Sequence, residues 1–136
     1  MRYLAIDFGS KNTGLALCDQ SETIASPLTV LPTDKNLIEK IADIVKKENV
    51  EAIVVGLPLN MDDSHGPQAQ FASRFAERLR PAVNVPICFQ DERLSTFAAE
   101  QKIAGLELPK KMRRRKLDSL AAAEILQAFI DSKRSK

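Results

Sequence analysis

The order of hydrophobic patterns along this 136-residue chain predicts an α/β fold built on a five-stranded mixed sheet flanked by helices. Three apolar runs joined by turn residues come first, and this pattern is typical of antiparallel strands. Two further apolar runs alternate with segments of helical period, as parallel strands do with their crossover helices. We therefore predict one domain, residues 1–136, whose sheet has three antiparallel strands followed by two parallel ones.

The antiparallel half is predicted from residues 2–31. Residues 2–8 form a buried apolar run, and Asn12-Thr13-Gly14 supplies turn chemistry before a second run at 15–18. The third run, residues 24–31, contains Pro27. Because proline cannot donate to a strand ladder, this strand is expected at an edge of the sheet.

The remaining elements follow from a change of period. Asp34 is expected to cap a helix that ends near Asn49, and residues 52–55 have the continuous apolar character of a central parallel strand. After them we predict a loop at 56–66, a helix stopped by Pro81, a strand at 85–89, a helix at 96–104, a loop at 105–112 and a final helix from about 113 to 132.

Composition indicates an ordinary globular protein, with 44% apolar and 28% charged residues. No apolar run approaches the ~20 residues that a membrane helix needs, and the first apolar run stops at an acid, unlike a signal peptide. Cys18 and Cys88 fall inside predicted strands, so we interpret them as reduced core residues rather than a disulfide. These features predict a cytoplasmic protein with no membrane partner.

Positive charge is concentrated at one end of the chain. Residues 1–109 carry a net charge of −4 and residues 110–136 a net charge of +6. Six cations occupy seven positions there: Lys110, Lys111, Arg113, Arg114, Arg115 and Lys116. Such a run is often a solvated loop. Here it leads into a helix start, where cations oppose the helix dipole, so we interpret it as a contact for nucleic-acid phosphates.

Acidic residues lie at the ends of two predicted strands and on the core-facing side of the last predicted helix. Asp7 ends the first strand, Asp91 and Glu92 follow the fifth, and Asp118 lies in the middle of an apolar helical face. Burying a carboxylate is costly unless a cation meets it. We therefore predict a catalytic site of Asp7, Asp91, Glu92 and Asp118, with Mg²⁺ or Mn²⁺ held by Asp7, Glu92 and Asp118.

Each acid also has a purely structural interpretation. Asp7 can cap the turn that follows it, and Asp91 and Glu92 can cap the next helix. Asp118 can interact favourably with the dipole at the start of the last helix. Adjacent strand residues point to opposite faces, so only one of Asp91 and Glu92 is expected to face the site, and Glu92 has the longer reach. His65 is interpreted as an exposed loop residue. Lys11, Arg93 and Asn60 are the remaining candidates for phosphate contacts.

Four segments resemble the YqgF (RuvX) family: DFGSKNTGLA at 7–16, VGLPLNMD at 55–62, DERLST at 91–96 and DSLAA at 118–122. The resemblance implies a ribonuclease H-like fold and an acidic triad of Asp7, one acid of the Asp91-Glu92 pair, and Asp118. It also implies a nuclease that processes the 5′ end of precursor 16S rRNA, with structured RNA and the ribosome as partners.

Three other functions are compatible with the sequence. A Holliday junction resolvase would use the same site on branched DNA and should be a dimer with paired sites, so both monomer and homodimer stay open. A non-catalytic RNA-binding module would keep the basic run without needing buried acids. A sugar-kinase-like ATP site is suggested by the spacing of Asp7 and Gly14, but it needs two domains.

Overall fold

The structure, a computed structural model, describes residues 1–58, 62, 64–92 and 110–134. Its strands are β1 (Tyr3–Asp7), β2 (Asn12–Cys18), β3 (Ala25–Pro32), β4 (Ala52–Leu57) and β5 (Ile87–Asp91). Its helices are α1 (Leu37–Lys47), α2 (Pro67–Leu79) and α3 (Lys110–Arg134), with a 3-10 turn at Arg80–Ala82 after α2. Within these ranges, no helix combines the length and the apolar character needed to cross a membrane.

The five strands form one sheet in the order β3-β2-β1-β4-β5. β2 pairs antiparallel with β1 and β3, whereas β4 pairs parallel with β1 and β5. The predicted mixed sheet is confirmed, with the proline-containing β3 at an edge and β4 between two parallel neighbours. Cys18 and Cys88 are both free thiols, as expected.

The two faces of the sheet carry side chains of different size. Alternate residues of each strand point to opposite faces, and the face toward α1 and α2 is built from large aliphatic residues: Leu4, Ile6, Leu15, Leu17, Ile53, Val55 and Ile87. The face toward α3 is built mainly from small ones: Ala5, Ala16, Cys18, Ala52 and Val54. The small residues let α3 lie close to the sheet.

The helical face predicted around Asp118 is confirmed. Ala121, Ala122, Ile125, Leu126 and Ile130 are all buried against the sheet. The far end of α3 is anchored by Lys133, whose Nζ bonds the Tyr3 hydroxyl and lies 2.7 Å from a Glu22 carboxylate oxygen. Near the same end, the Gln127 side-chain oxygen accepts a bond of 3.0 Å from the Ala25 amide.

The start of α1 differs from the prediction. The helix begins at Leu37 after Asn36, and Asp34 is not its cap. The Asp34 carboxylate instead accepts a 2.9 Å bond from the Asn36 amide, and its carbonyl accepts one of 3.2 Å from Leu37. This local turn competes with helix capping for the same side chain, as is common for aspartate.

Further boundaries of strands and helices also differ from the prediction. β4 runs to Leu57 and β5 to Asp91, because the parallel register pairs those two residues. β5 starts only after Pro86, which lacks an N–H and contributes its carbonyl to the Ile53 amide at 2.9 Å. Helix α3 starts at Lys110 rather than near 113, so the basic run is helical; lysine, arginine and methionine are good helix formers. The helix predicted at 96–104 lies outside the described residues.

Candidate active site

The carboxyl ends of three strands meet at one edge of the sheet. β1, β4 and β5 are parallel, and they end at Asp7, Leu57 and Asp91. In open α/β sheets this edge is where ligands bind. The prediction that these strand ends bring acidic residues together is confirmed by the register.

Asp7 and Glu92 are in direct contact through a side-chain hydrogen bond. Asp7 continues the alternation of Tyr3 and Ala5, so it faces α3. Glu92 lies just past β5, but its amide still donates a 3.2 Å bond to the Leu57 carbonyl. That bond extends the ladder by one residue, and alternation with Cys88 then turns Glu92 toward α3 as well. Both carboxylates therefore occupy the same face of the sheet.

Burial and mutual repulsion perturb both groups. Burial raises the pKa of Asp7, although the hydrogen bond from Glu92 works in the opposite direction. For Glu92, burial first and then the charge of Asp7 raise the pKa to about 10, with a contribution from Asp91. Two adjacent ionised carboxylates repel each other, so the pair favours uptake of a proton or a cation.

Gly56 makes room for Glu92. A β-carbon at position 56 would overlap the Glu92 carboxylate and would lie 2.6 Å from the Ile125 Cδ1 atom of α3. A glycine at this point of the strand lets other groups approach the backbone closely. The structure shows that the approaching groups are the Glu92 side chain and α3, so Gly56 is a positioning residue for the carboxylate pair.

Gly14 sets the position of the helix at Asp118. A β-carbon at position 14 would overlap the Asp118 carbonyl oxygen and lie 2.8 Å from its carbonyl carbon. Gly14 also pairs with Asp7 across the β1–β2 ladder. The backbone of Asp118 is thus held against the strand beside Asp7.

The four predicted acids do not form a single cluster. In the described part of the chain, no three His, Cys, Asp or Glu side chains are grouped so that they could hold one metal ion. Asp91 is exposed, and strand alternation places it on the face opposite Glu92. The structure therefore selects Glu92 from the Asp91-Glu92 pair as the acid that faces the site. A ligand set of Asp7, Glu92 and Asp118 stays a prediction.

The predicted nucleic-acid contacts are only partly described. Lys11 is exposed in the turn between β1 and β2, at the same sheet edge as Asp7. His65 is exposed, as expected. Asn60 and Arg93 lie outside the described residues, as do the side chains of the basic run at 110–116, whose backbone forms the first turns of α3. Their roles stay predictions.

A pair of threonine hydroxyls that the sequence did not single out supports the turn after Asp7. Thr33 Oγ1 donates a 2.8 Å bond to the Gly9 carbonyl, so Thr13 Oγ1 must donate in the 2.7 Å contact between the two hydroxyls. Thr13 is fully buried. The sequence did contain a signal for this pair. Thr13 alternates with Leu15 and Leu17, so its hydroxyl lies on a core face and needs a hydrogen-bond partner.

The family model described as "RuvX: Holliday junction resolvase" matches residues 1–132. A protein of Roseiflexus sp. named "Putative pre-16S rRNA nuclease" is 41% identical over 98% of this chain and 96% of its own length. A protein of the same name from Caldanaerobacter subterraneus subsp. tengcongensis is 42% identical over 99% of both chains.

Two solved structures have a similar fold. Thermus thermophilus RuvC, in complex with a Holliday junction substrate, gives a TM-score of 0.59 at 16% identity and covers 98% of this chain and 96% of its own. The fowlpox virus Holliday junction resolvase gives 0.55 at 16% identity, covering 97% and 99%. These likenesses confirm the predicted ribonuclease H-like fold.

Proposed function

This chain belongs to the RuvX family, and on that premise we propose that it is a metal-dependent endonuclease that hydrolyses phosphodiester bonds in RNA. The observation that carries the proposal is the Asp7–Glu92 pair at the carboxyl ends of two parallel strands. A purely structural fold has no need of two hydrogen-bonded acids in a largely buried position. Their perturbed pKa values are typical of residues that bind a cation or move a proton.

The pair fits a divalent cation. Hard cations such as Mg²⁺ and Mn²⁺ prefer carboxylate oxygens. Among the described residues, no lysine or arginine forms an ion pair with Asp7 or Glu92, so their charge is left for another cation to balance. We propose Asp7 and Glu92 as ligands. Asp118, whose backbone lies across Gly14, is not grouped with them in the structure, and its part as third ligand stays a prediction.

The bound cation would activate water and stabilise negative charge in an in-line displacement at phosphorus. The residues of the chain have distinct parts in that reaction. Asp7 and Glu92 would hold the cation through their carboxylate oxygens. Gly56 keeps Glu92 in line with Asp7. The basic run at 110–116 holds phosphates next to the reacting one, independently of base sequence.

The proposed substrate is precursor 16S rRNA, cut at its 5′ end during ribosome maturation in the cytoplasm. This assignment is supported by the name shared by curated relatives that match the chain over nearly its whole length. A nuclease acting on one RNA strand can work as a monomer, so the proposal does not require a second subunit.

A second candidate is cleavage of branched DNA, which the description of the matching family model favours. A junction resolvase must cut two strands symmetrically and therefore needs paired sites in a dimer. A non-catalytic RNA-binding module is the third possibility, and it leaves the carboxylate pair without a role.

One experiment separates the three. The purified protein is incubated with precursor 16S rRNA and with a four-way DNA junction, in Mg²⁺, in Mn²⁺ or in EDTA, and the cut sites are mapped. We expect metal-dependent cuts in the RNA and none with Asp7→Asn protein prepared in parallel. Symmetric cuts in the junction alone would favour the resolvase. Binding of RNA without cleavage under every condition would contradict a nuclease function.

A further inference from the structure

A groove lined with aromatic and basic side chains opens beside the carboxylate pair, on the α2 side of the sheet. It encloses about 650 Å³, which is within the range of ligand-binding clefts. Its lining residues are Phe8, Phe71, Ser73, Arg74, Glu77, Arg78 and Phe89. Three of the six phenylalanines of the chain line this one surface. The groove is therefore much richer in aromatic residues than the chain as a whole.

The rings of the groove are exposed, although phenylalanine is usually buried. Phe71 is 51% exposed and Phe89 37% exposed. Phe8 lines the same groove and stacks on the buried Phe75, with 4.5 Å between ring centroids and 16° between planes. The groove thus offers flat apolar faces.

The charge of the groove is positive. The Arg74 guanidinium lies 6.0 Å from the Phe71 ring centroid, in a cation–π arrangement, and Arg78 lines the same surface. Glu77 is the one acid among the lining residues, and its carboxylate is paired with Arg80 at 3.1 Å. Two exposed arginines therefore remain to attract an anionic ligand.

The groove and the proposed active site lie at the same edge of the sheet, on opposite faces. Phe8 directly follows Asp7, so their Cα atoms are only ~3.8 Å apart, and Phe89 precedes Asp91 by two residues in β5. Strand alternation sends the phenylalanines to the α2 face and Asp7 and Glu92 to the α3 face. A nucleic-acid strand bound across the sheet edge would meet the carboxylates on one side and the aromatic rings on the other.

We propose that this groove binds unpaired nucleotides adjacent to the phosphodiester that is cut. Their bases stack on Phe71 and Phe89, while Arg74 and Arg78 contact the backbone. Exposed aromatic rings interleaved with arginine are the standard means of binding bases that are not in a duplex. The choice of RNA as the ligand rests on the proposed function. If the groove binds unpaired nucleotides in this way, the protein should cleave preferentially next to a single-stranded segment.

The test measures binding in EDTA, so that cleavage does not contribute. Fluorescence anisotropy is recorded with a labelled unpaired oligoribonucleotide and with the same strand annealed to its full complement. Loss of one base–ring stack typically weakens binding roughly 5- to 150-fold. We expect Phe71→Ala and Phe89→Ala to weaken binding of the unpaired strand within that range and to leave binding of the duplex almost unaffected.

Three control variants distinguish stacking from general stickiness. Phe71→Tyr keeps the ring and should bind as wild type, whereas Phe71→Leu keeps apolar volume without a ring and should resemble Phe71→Ala. Ile24→Ala removes an apolar side chain that is 62% exposed at the opposite end of the sheet, and it should have no effect. Thermal melts establish that the substitutions, all at exposed positions, leave folding intact.

Several outcomes would overturn the proposal. One is that both alanine variants bind RNA with unchanged affinity. Another is that they weaken binding of paired and unpaired RNA equally. A third is that the variants lose self-association in sedimentation experiments while their RNA affinity is unchanged, because a second copy of the chain would then be what covers the groove. Failure of the nuclease function would look different. Neither RNA nor junction would be cut, yet Asp7→Asn protein would still bind the unpaired strand in a manner that depends on Phe71.

Discussion

The two faces of the sheet differ in what their side chains do. The face under α1 and α2 is packed with large aliphatic residues, whose burial contributes roughly 1.5–3 kcal/mol each. The face under α3 has alanine and glycine along the same strands, and it carries Asp7 and Glu92 at its edge. One face supplies most of the stability. The other gives up apolar burial so that a helix and two carboxylates can come close together.

The largest expected effect is that of Asp7→Asn on the α3 face. Metal-ion catalysis typically contributes several kcal/mol to the transition state, which corresponds to a loss of roughly a thousandfold or more in kcat. Binding of RNA should change little, because the basic run holds the phosphates. Single-turnover cleavage at saturating metal measures the rate, and anisotropy measures the affinity. A wild-type rate would exclude a ligand role for Asp7.

On the other face, Ile41→Ala should affect stability and spare chemistry. Ile41 is fully buried in α1, away from the carboxylates. Truncating such a residue costs about 2–5 kcal/mol through lost burial and the cavity left behind. Urea denaturation should show this loss, and kcat per folded molecule should stay at the wild-type value. A large fall in kcat would contradict the separation between the two faces.

Gly56→Ala adds one methyl group to the α3 face and should combine both effects. Overpacking costs about 1–3 kcal/mol, and displacement of Glu92 should reduce cleavage about tenfold to a hundredfold, the range found when groups that orient metal ligands are removed. A double-mutant cycle with Glu92→Ala tests the cause. If the destabilisation by Gly56→Ala is just as large without the Glu92 side chain, steric displacement of that carboxylate is not the reason.

The smallest expected effect is a change in how stability depends on pH. The pKa of Glu92 rises from an ordinary value of 4.5 to about 10 in the folded protein, so folding takes up a proton between these values. The corresponding stability is fully present below pH 4.5 and is lost as pH rises toward 10, by at most about 1.4 kcal/mol per pH unit.

Glu92→Gln cannot ionise, so in EDTA its free energy of unfolding should not show this loss. The free energy of unfolding of both proteins is measured by urea melts from pH 5 to pH 9. The difference between wild type and variant cancels the contributions of acids that both contain, such as Asp19. Parallel curves for the two proteins would mean that Glu92 ionises normally in the folded state.

The sequence was sufficient to predict the mixed sheet and the acids at strand ends, because both depend on local period and on the geometry of parallel strands. It could not predict the start of α1, since the Asp34 side chain bonds the Asn36 amide in a local turn instead of capping the helix. It also could not identify what approaches Gly56, because Glu92 is far away along the chain. The aromatic groove was missed for a similar reason: Phe8, Phe71 and Phe89 come from three different elements.

The two glycines on the α3 face have a consequence for how mutational tolerance is interpreted. Gly14 and Gly56 have no side chain and cannot take part in chemistry, yet a β-carbon at either position would collide with Asp118 or Glu92. In a saturation-mutagenesis map scored by activity, both should therefore be as intolerant as Asp7. An observer working only from such a map would count both glycines among the reacting groups, although each contributes only the absence of a side chain.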